Sequence, residues 1–259
     1  MTGQIHIEFN SPVAEIIFDA PARRNAFNMA MWGALPGLIH EAETTAGTKV
    51  IILHGGTTGH FAAGADISEF DEIYADETIA AKSATTIADG LNAIARCSKP
   101  VIAAIDGVCV GGGVSLALAC DLRIASAGAR IGITPAKLGL VYPMDDTRRL
   151  VNTVGASQAK DILFTGRIFD ARHARNIGLV DQLVDGNALV AARTKAAEIA
   201  SVSQWSVRAT KEMIGALEGE AAWTEKDGLR RFVEGVTGPD FREGYRAFLE
   251  KRPADFPTH

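Results

Sequence analysis

One stretch of this chain, Pro100 to Ser126, limits its possible folds more than any other. Val101 to Ile105 is a purely apolar run of strand length, closed by the turn signal Asp106-Gly107. Three consecutive glycines follow, Gly111 to Gly113, and then a small, apolar run from Val114 to Ala119 that suits a buried helix. Glycines at a helix start serve either of two ends. They let another backbone pack closely, or they let a ligand reach N–H groups without partners inside the helix, which is how a protein receives an anion or an oxyanion.

Two familiar glycine motifs do not fit. A phosphate-binding P-loop needs Lys and then Ser or Thr after its last glycine, whereas Val114 and Ser115 follow here. A dinucleotide fingerprint needs G-x-G-x-x-G after an early strand, and these glycines are consecutive and mid-chain. The net charge of −5 with interspersed signs offers no basic stripe, so nucleic acid is not an expected partner. No apolar run reaches membrane-spanning length, and Met1 to His6 lacks the features of a secretory signal; a cytoplasmic protein with no membrane partner is expected. Cys97, Cys109 and Cys120 stand in apolar surroundings and read as buried thiols, while the histidines form no metal-binding pair. No metal is expected.

Around the central stretch the pattern is α/β. Ile5 to Phe9 and Val13 to Asp19 predict an opening hairpin, and Asn28 predicts the cap of a helix running to about Thr44. Val50 to Leu53 is a short apolar run, the mark of a strand buried on both faces. Residues 55 to 67 then carry few bulky side chains, so the backbone can lie against a flat ligand, and Asp66 reads as the cap of a turn. A helix from about Glu77 to Arg96 leads back to Pro100. Runs at 50 to 53, 101 to 105 and 122 to 126, separated by helical segments, predict parallel βαβ units. After Val180 to Val184 the pattern is wholly helical. We divide the chain into a core over 1–184 and a helical region over 185–259. Thr134-Pro135 and Tyr142-Pro143 are rigid and polar between apolar segments, and Met144 to Arg149 opens a helix with acids first and bases later. Asp145 and Asp146 there are either helix-start charges or functional acids, and Tyr142 is either an interior tyrosine or a ligand contact. The adjacent Arg23 and Arg24 are either solvated or able to hold a phosphorylated ligand.

Phe61-Ala62-Ala63-Gly64-Ala65-Asp66-Ile67 resembles the A-G-x-D segment of the crotonase superfamily, the enoyl-CoA hydratase and isomerase family. The central stretch is similar to that family's K-P-x-I-A-A-x-x-G-x-x-x-G-G-G-x-x-L-A-x-x-C-D. Further matches run from Pro21-Phe27 through Leu138-Gly139, Thr165 to Arg167 and Ala174 to Leu179 to Ala247-Arg252. The resemblance implies a crotonase-like α/β spiral of ββα units with a helical C-terminal trimerisation region, assembled as a homotrimer or a dimer of trimers. It implies an acyl-CoA substrate, with coenzyme A as part of the thioester and no tightly bound cofactor. The shared oxyanion hole matches the backbone N–H groups of Ala65 and Gly112. On the coenzyme side the matching positions are Ala26, Ala63, Asp66 and Ile67, with Arg23, Arg24 and Lys251 toward the phosphates.

Two departures from the family pattern redirect the chemistry. Where a hydratase carries its two water-handling glutamates, this chain has Ser115 and Pro135. Thr134-Pro135-x-x-Leu138-Gly139-x-x-Tyr142 instead resembles the matching segment of methylmalonyl-CoA decarboxylase, whose threonine and tyrosine orient the carboxylate to be lost. That enzyme has a histidine at the position of Ala65 and a glutamate at that of Ser115. Loss of CO₂ forms the enolate directly and requires no base, so a decarboxylase-like lyase is the expected activity. The alternatives are a hydratase or isomerase recruiting another acid, Asp145 or Asp146, and a non-catalytic acyl-CoA-binding subunit. Aspartate attack of the dehalogenase type is disfavoured, because Pro143 stands at its nucleophile position.

Overall fold

A computed structural model describes residues 3–256. Its main sheet has the order β1-β2-β3-β4-β6-β9, formed by β1 (Gln4–Asn10), β2 (Val13–Asp19), β3 (Val50–His54), β4 (Val101–Ile105), β6 (Leu122–Ser126) and β9 (Gln182–Val184). β1 and β2 make the antiparallel hairpin, in register from Gln4 opposite Asp19 to Asn10 opposite Val13, and every later pair is parallel. A second sheet, β5-β7-β8, joins β5 (Val108–Val110), β7 (Arg130–Gly132) and β8 (Ile168–Asp170). Each of its strands has three residues, too few to show a period, which is why the sequence pattern passes over them.

The helices are α1 (Met29–Thr44), α2 (Phe70–Ile73), α3 (Glu77–Arg96), α4 (Gly112–Ala119), α5 (Met144–Thr165, kinked at Gly155), α6 (Ala171–Asn176), α7 (Ala188–Ala200), α8 (Gln204–Leu217), α9 (Glu225–Thr237) and α10 (Pro239–Glu250). Asn28 starts α1 by accepting a hydrogen bond from Met31 N at 2.8 Å. No helix among the described residues is long and apolar enough to cross a membrane.

The all-apolar strands alternate between two cores. Ile51, Leu53, Val101, Ala103 and Ile105 face the larger core, with residues of α1, α3 and α4, while Val50, Ile52, Ile102 and Ala104 face the other. That second face is covered by α7 through Ala188, Ala192 and Ala196, one per helical turn, whose small side chains allow close approach. On the same face Arg193 of α7 grips the buried Glu15 through two bonds, and His54 lies 3.2 Å from Glu15.

This layering places the chain's functional loops at one end of the sheet. β3 and β4 run parallel, so the segments that leave them, 55 to 66 and 106 to 111, emerge side by side. They are pinned by an isolated parallel bridge between Ala62 and Cys109, with Ala62 N donating to Val108 O and Val110 N to Ala62 O, both at 3.0 Å. The contact is too tight for a side chain at Gly113, whose Cβ would fall 2.3 Å from Ala62 O.

Candidate active site

A second isolated bridge, Phe27 with Ala65, fixes the far end of the 61–66 segment: Phe27 N donates to Gly64 O at 2.7 Å and Asp66 N to Phe27 O at 2.8 Å. Gly64 lies between the two bridges at φ 101°, a conformation that other residues rarely adopt. The result sets Ala65 beside the start of α4. A Cβ built on Gly112 would lie 3.5 Å from Ala65 N, and one built on Gly64 would lie 3.4 Å from Gly112 N. Neither Ala65 N nor Gly112 N has an acceptor among the described residues, and both residues are partly open to solvent. Two unpartnered amides held side by side at a helix N-terminus can stabilise a developing oxyanion.

Beneath them lies a cluster of hydroxyl and charged groups. Ser115, one turn into α4, contacts the Tyr142 hydroxyl at 2.7 Å, and both residues are buried. Asp146 is 3% exposed. Burial raises its carboxyl above the ordinary carboxylate range, opposed by the Ser115 hydroxyl and the Arg149 guanidinium. The Ser115 and Tyr142 hydroxyls share one hydrogen bond, in which either oxygen can donate. Burial, reinforced by Asp146, likewise pushes the Tyr142 phenol well up. Arg149 donates to Asp146 Oδ1 at 3.4 Å, to Glu220 Oε1 at 3.0 Å and to Asn92 Oδ1 at 2.8 Å. Thr134 Oγ lies 4.0 Å from where a Gly111 side chain would begin, and has no protein partner among the described residues.

The two adjacent acids are therefore not equivalent. Asp145 points outward, its side chain 53% exposed and 3.4 Å from Arg148, so it is not the acid beside Ser115. Successive helical residues point about 100° apart, and the inward position belongs to Asp146. Pro135 opens a short turn, Pro135–Leu138, and supplies no ionisable group.

On the proposed coenzyme side the structure separates the residues. Arg23 donates to Asp66 Oδ1 and to Ser68 Oγ at 2.6 Å. Asp66 also accepts from Ser68 N at 3.0 Å, capping the turn Ile67–Glu69. Burial raises the Asp66 carboxyl, but Ser68 and Arg23 outweigh it and hold the group below the ordinary range. Arg23 and Asp66 thus clasp the Ala65 loop, and this intramolecular pair is what the sequence reading of each as a ligand contact overlooked. Arg24 and Lys251 are exposed, Ile67 is mostly exposed, and Ala26 and Ala63 are partly buried. No hydrogen bond or ion pair joins Lys251 to the Arg23–Arg24 turn among the described residues.

Sequence reasoning also missed Trp32 and Asn25. Trp32 Cζ2 lies 3.1 Å from the Cβ position of Gly112, so its ring forms one wall beside the amides. Asn25, buried at φ 58°, accepts from Ala20 N and donates to His60 O at 2.7 Å, anchoring the loop that carries Ala65. Both stand near Pro21 to Phe27, where the arginines drew attention instead. Two hollows lie elsewhere, one of about 360 Å³ between α8 and the core near Lys211 and Glu220, another of about 660 Å³ among α8, α9 and α10. Neither is lined by Ala65 or Gly112. We place the site at the amides, because volume alone supplies no donor.

The family model for enoyl-CoA hydratase/isomerase matches residues 8–259. The mitochondrial enoyl-CoA hydratase domain-containing protein 2 of Bos taurus is 33% identical over 250 residues, covering 94% of this chain and 83% of its own. Among solved structures, an enoyl-CoA hydratase/isomerase family protein from Hyphomonas neptunium is 55% identical with a TM-score of 0.95, covering 98% of each chain. An enoyl-CoA hydratase/carnithine racemase from Magnetospirillum magneticum is 31% identical with a TM-score of 0.93, covering 98% of this chain and 96% of its own.

Proposed function

Since the chain belongs to the enoyl-CoA hydratase/isomerase family, whose substrates are acyl-CoA thioesters, we propose that it decarboxylates a malonyl-type acyl-CoA. The observation that carries this reading is the pair of free amides, Ala65 N and Gly112 N, beside Ser115, Thr134, Pro135 and Tyr142 rather than beside the two glutamates of a hydratase. The amides would accept the thioester oxygen. Thr134 and Tyr142 would hold the substrate carboxylate so that the bond to be broken is aligned with the thioester π system. When CO₂ leaves, its bonding pair becomes the enolate held by the amides, and the α-carbon then takes a proton from water, leaving hydroxide to the solvent. No general base is required.

Arg24, Ala26, Ala63, Ile67 and Lys251 are our assignment for the coenzyme side, with Arg23 and Asp66 maintaining the loop. The exposed apolar residues of α9 and α10, among them Phe232, Tyr245, Phe248 and Leu249, support self-association as a trimer or a dimer of trimers.

One observation favours a second reading. Asp146 is a buried acid beside Ser115, which suits hydration or isomerisation with Asp146 in the place of a glutamate. Parallel assays separate the readings. Release of CO₂ from methylmalonyl-CoA with no loss of crotonyl-CoA absorbance supports decarboxylation, and the reverse supports hydration. Binding of both esters without conversion would leave only an acyl-CoA-binding subunit.

A further inference from the structure

Ala65 and Gly112 belong to separate segments, which the bridge between Ala62 and Cys109 ties together a few residues away. Nearer the amides the span is made by aromatic rings. Phe61, Phe18, Phe27 and Trp32 form a continuous buried row, with successive ring centroids 5.2, 4.8 and 4.7 Å apart. The backbone of Phe27 grips both neighbours of Ala65, donating to Gly64 O at 2.7 Å and accepting from Asp66 N at 2.8 Å. Trp32 ends the row against α4, with Cζ2 3.1 Å and Cη2 3.5 Å from the Cβ position of Gly112. We propose that Trp32 is a positioning residue for the oxyanion site, the breadth of its indole setting the gap between the Ala65 and Gly112 amides. This inference rests on the reading that these amides receive a thioester oxygen.

Three observations favour a spacer over ordinary core filling. Trp32 has no room to recede, because α3 backs its peptide so closely that a Cβ on Gly90 would fall 3.1 Å from Trp32 O. The atoms that touch Gly112 belong to the distal ring of the indole, and a phenylalanine at this position would stop short of them. The indole also carries a penalty that phenylalanine avoids. Its Nε1 is buried with no hydrogen-bond partner among the described residues, and a dry, unpaired donor is destabilising. The breadth of the ring, rather than its donor, is therefore what the site uses. Trp32 is 1% exposed and acts through the amides rather than on the substrate. A shorter ring would leave a void between Phe27 and Gly112, into which the Ala65 segment or α4 can settle. The two N–H groups would then meet the oxygen at the wrong distance and angle.

The test reads the amides directly. Propionyl-CoA labelled with heavy carbon at the thioester carbonyl has no carboxylate to lose, and its carbonyl stretch falls in frequency when donors polarise it. Infrared difference spectra should show this downshift on binding to the wild type. In Trp32→Phe most of it should disappear. Turnover of methylmalonyl-CoA should fall by about 10–100-fold with KM little changed, as when an interaction is loosened mainly in the transition state. Replacing Trp32 by benzothienylalanine, an isostere with sulfur in place of the N–H, should keep the downshift. Phe27→Leu withdraws the face on which Trp32 rests and should lose it, which gives a second reading where Trp32→Phe does not fold by circular dichroism. A full downshift in either folded variant, or its loss with benzothienylalanine, overturns the inference. Release of CO₂ from methylmalonyl-CoA together with a full downshift in Trp32→Phe overturns it while leaving decarboxylation standing. A downshift lost in Trp32→Phe without CO₂ release from the wild type does the opposite. No downshift in the wild type overturns the inference and the amide reading together.

Discussion

The Ser115 and Tyr142 hydroxyl oxygens stand 2.7 Å apart where neither side chain has appreciable contact with water. Ser115→Ala would leave a buried phenol without this partner. We expect a loss of about 1–3 kcal/mol in stability, read as a lower urea midpoint at unchanged slope, together with slower CO₂ release from methylmalonyl-CoA.

Gly112→Ala tests the amide pair directly. The added methyl would sit 3.1 Å from Trp32 Cζ2 and 3.5 Å from Ala65 N, in the space where an oxygen must approach. Turnover should fall by about 10²–10³, the scale for losing an oxyanion donor, while circular dichroism stays that of the wild type. Retained turnover would place the reacting carbonyl elsewhere.

Acid stability should depend on Glu220. Its folded carboxyl is held below the ordinary value of 4.5 by Arg149 and Arg148 despite burial, so it contributes stability above that value and loses it as pH falls through the folded pKa. Glu220→Gln should lower stability by about 1.5–3 kcal/mol at neutral pH and less in acid, giving a shallower decline below pH 4.5 in chemical denaturation.

The thiols should be silent until the protein unfolds. Burial pushes Cys97 up to about 11 and Cys120 to about 12, and Cys109 is also raised. Because the thiolate is the reactive form, the folded protein should resist a thiol reagent at pH 8, and denaturation should release all three. Rapid labelling of the folded protein would contradict this burial.

Self-association should depend on the C-terminal helices. If the chain self-associates as proposed, replacing Tyr245 and Phe248, both largely exposed, by aspartate should lower its sedimentation coefficient to that of a monomer. An unchanged sedimentation coefficient would remove α10 from the interface.

The main sheet was legible because each of its central strands is an apolar run long enough to register. Val50 to Leu53 and Val101 to Ile105 could fill both faces of a sheet, and they do. The start of α1 at Asn28 carries the side chain that caps it, and the sequence marks it well; Asp76 and Asp170 cap α3 and α6 in the same way. The pairing of Ala65 with Gly112 came only from the family resemblance of the two segments, because nothing local to either names its partner. What stayed hidden depends on direction in space. Asp145 and Asp146 are indistinguishable as letters, and only the orientation of α5 turns one toward Ser115 and the other to solvent. Arg23 and Asp66 each look available to a ligand until a separation of 43 residues is folded into a contact.

Glu220 belongs to the short segment between α8 and α9, and Arg149 links it to Asp146. Only two side chains thus stand between the helices that carry the exposed apolar faces and the acid beneath the amides. A shift of the segment between α8 and α9 would move the guanidinium and alter the charge that Asp146 feels. The acid beneath the amides is thereby tied to the helical region, two side chains away, rather than to the sheet alone.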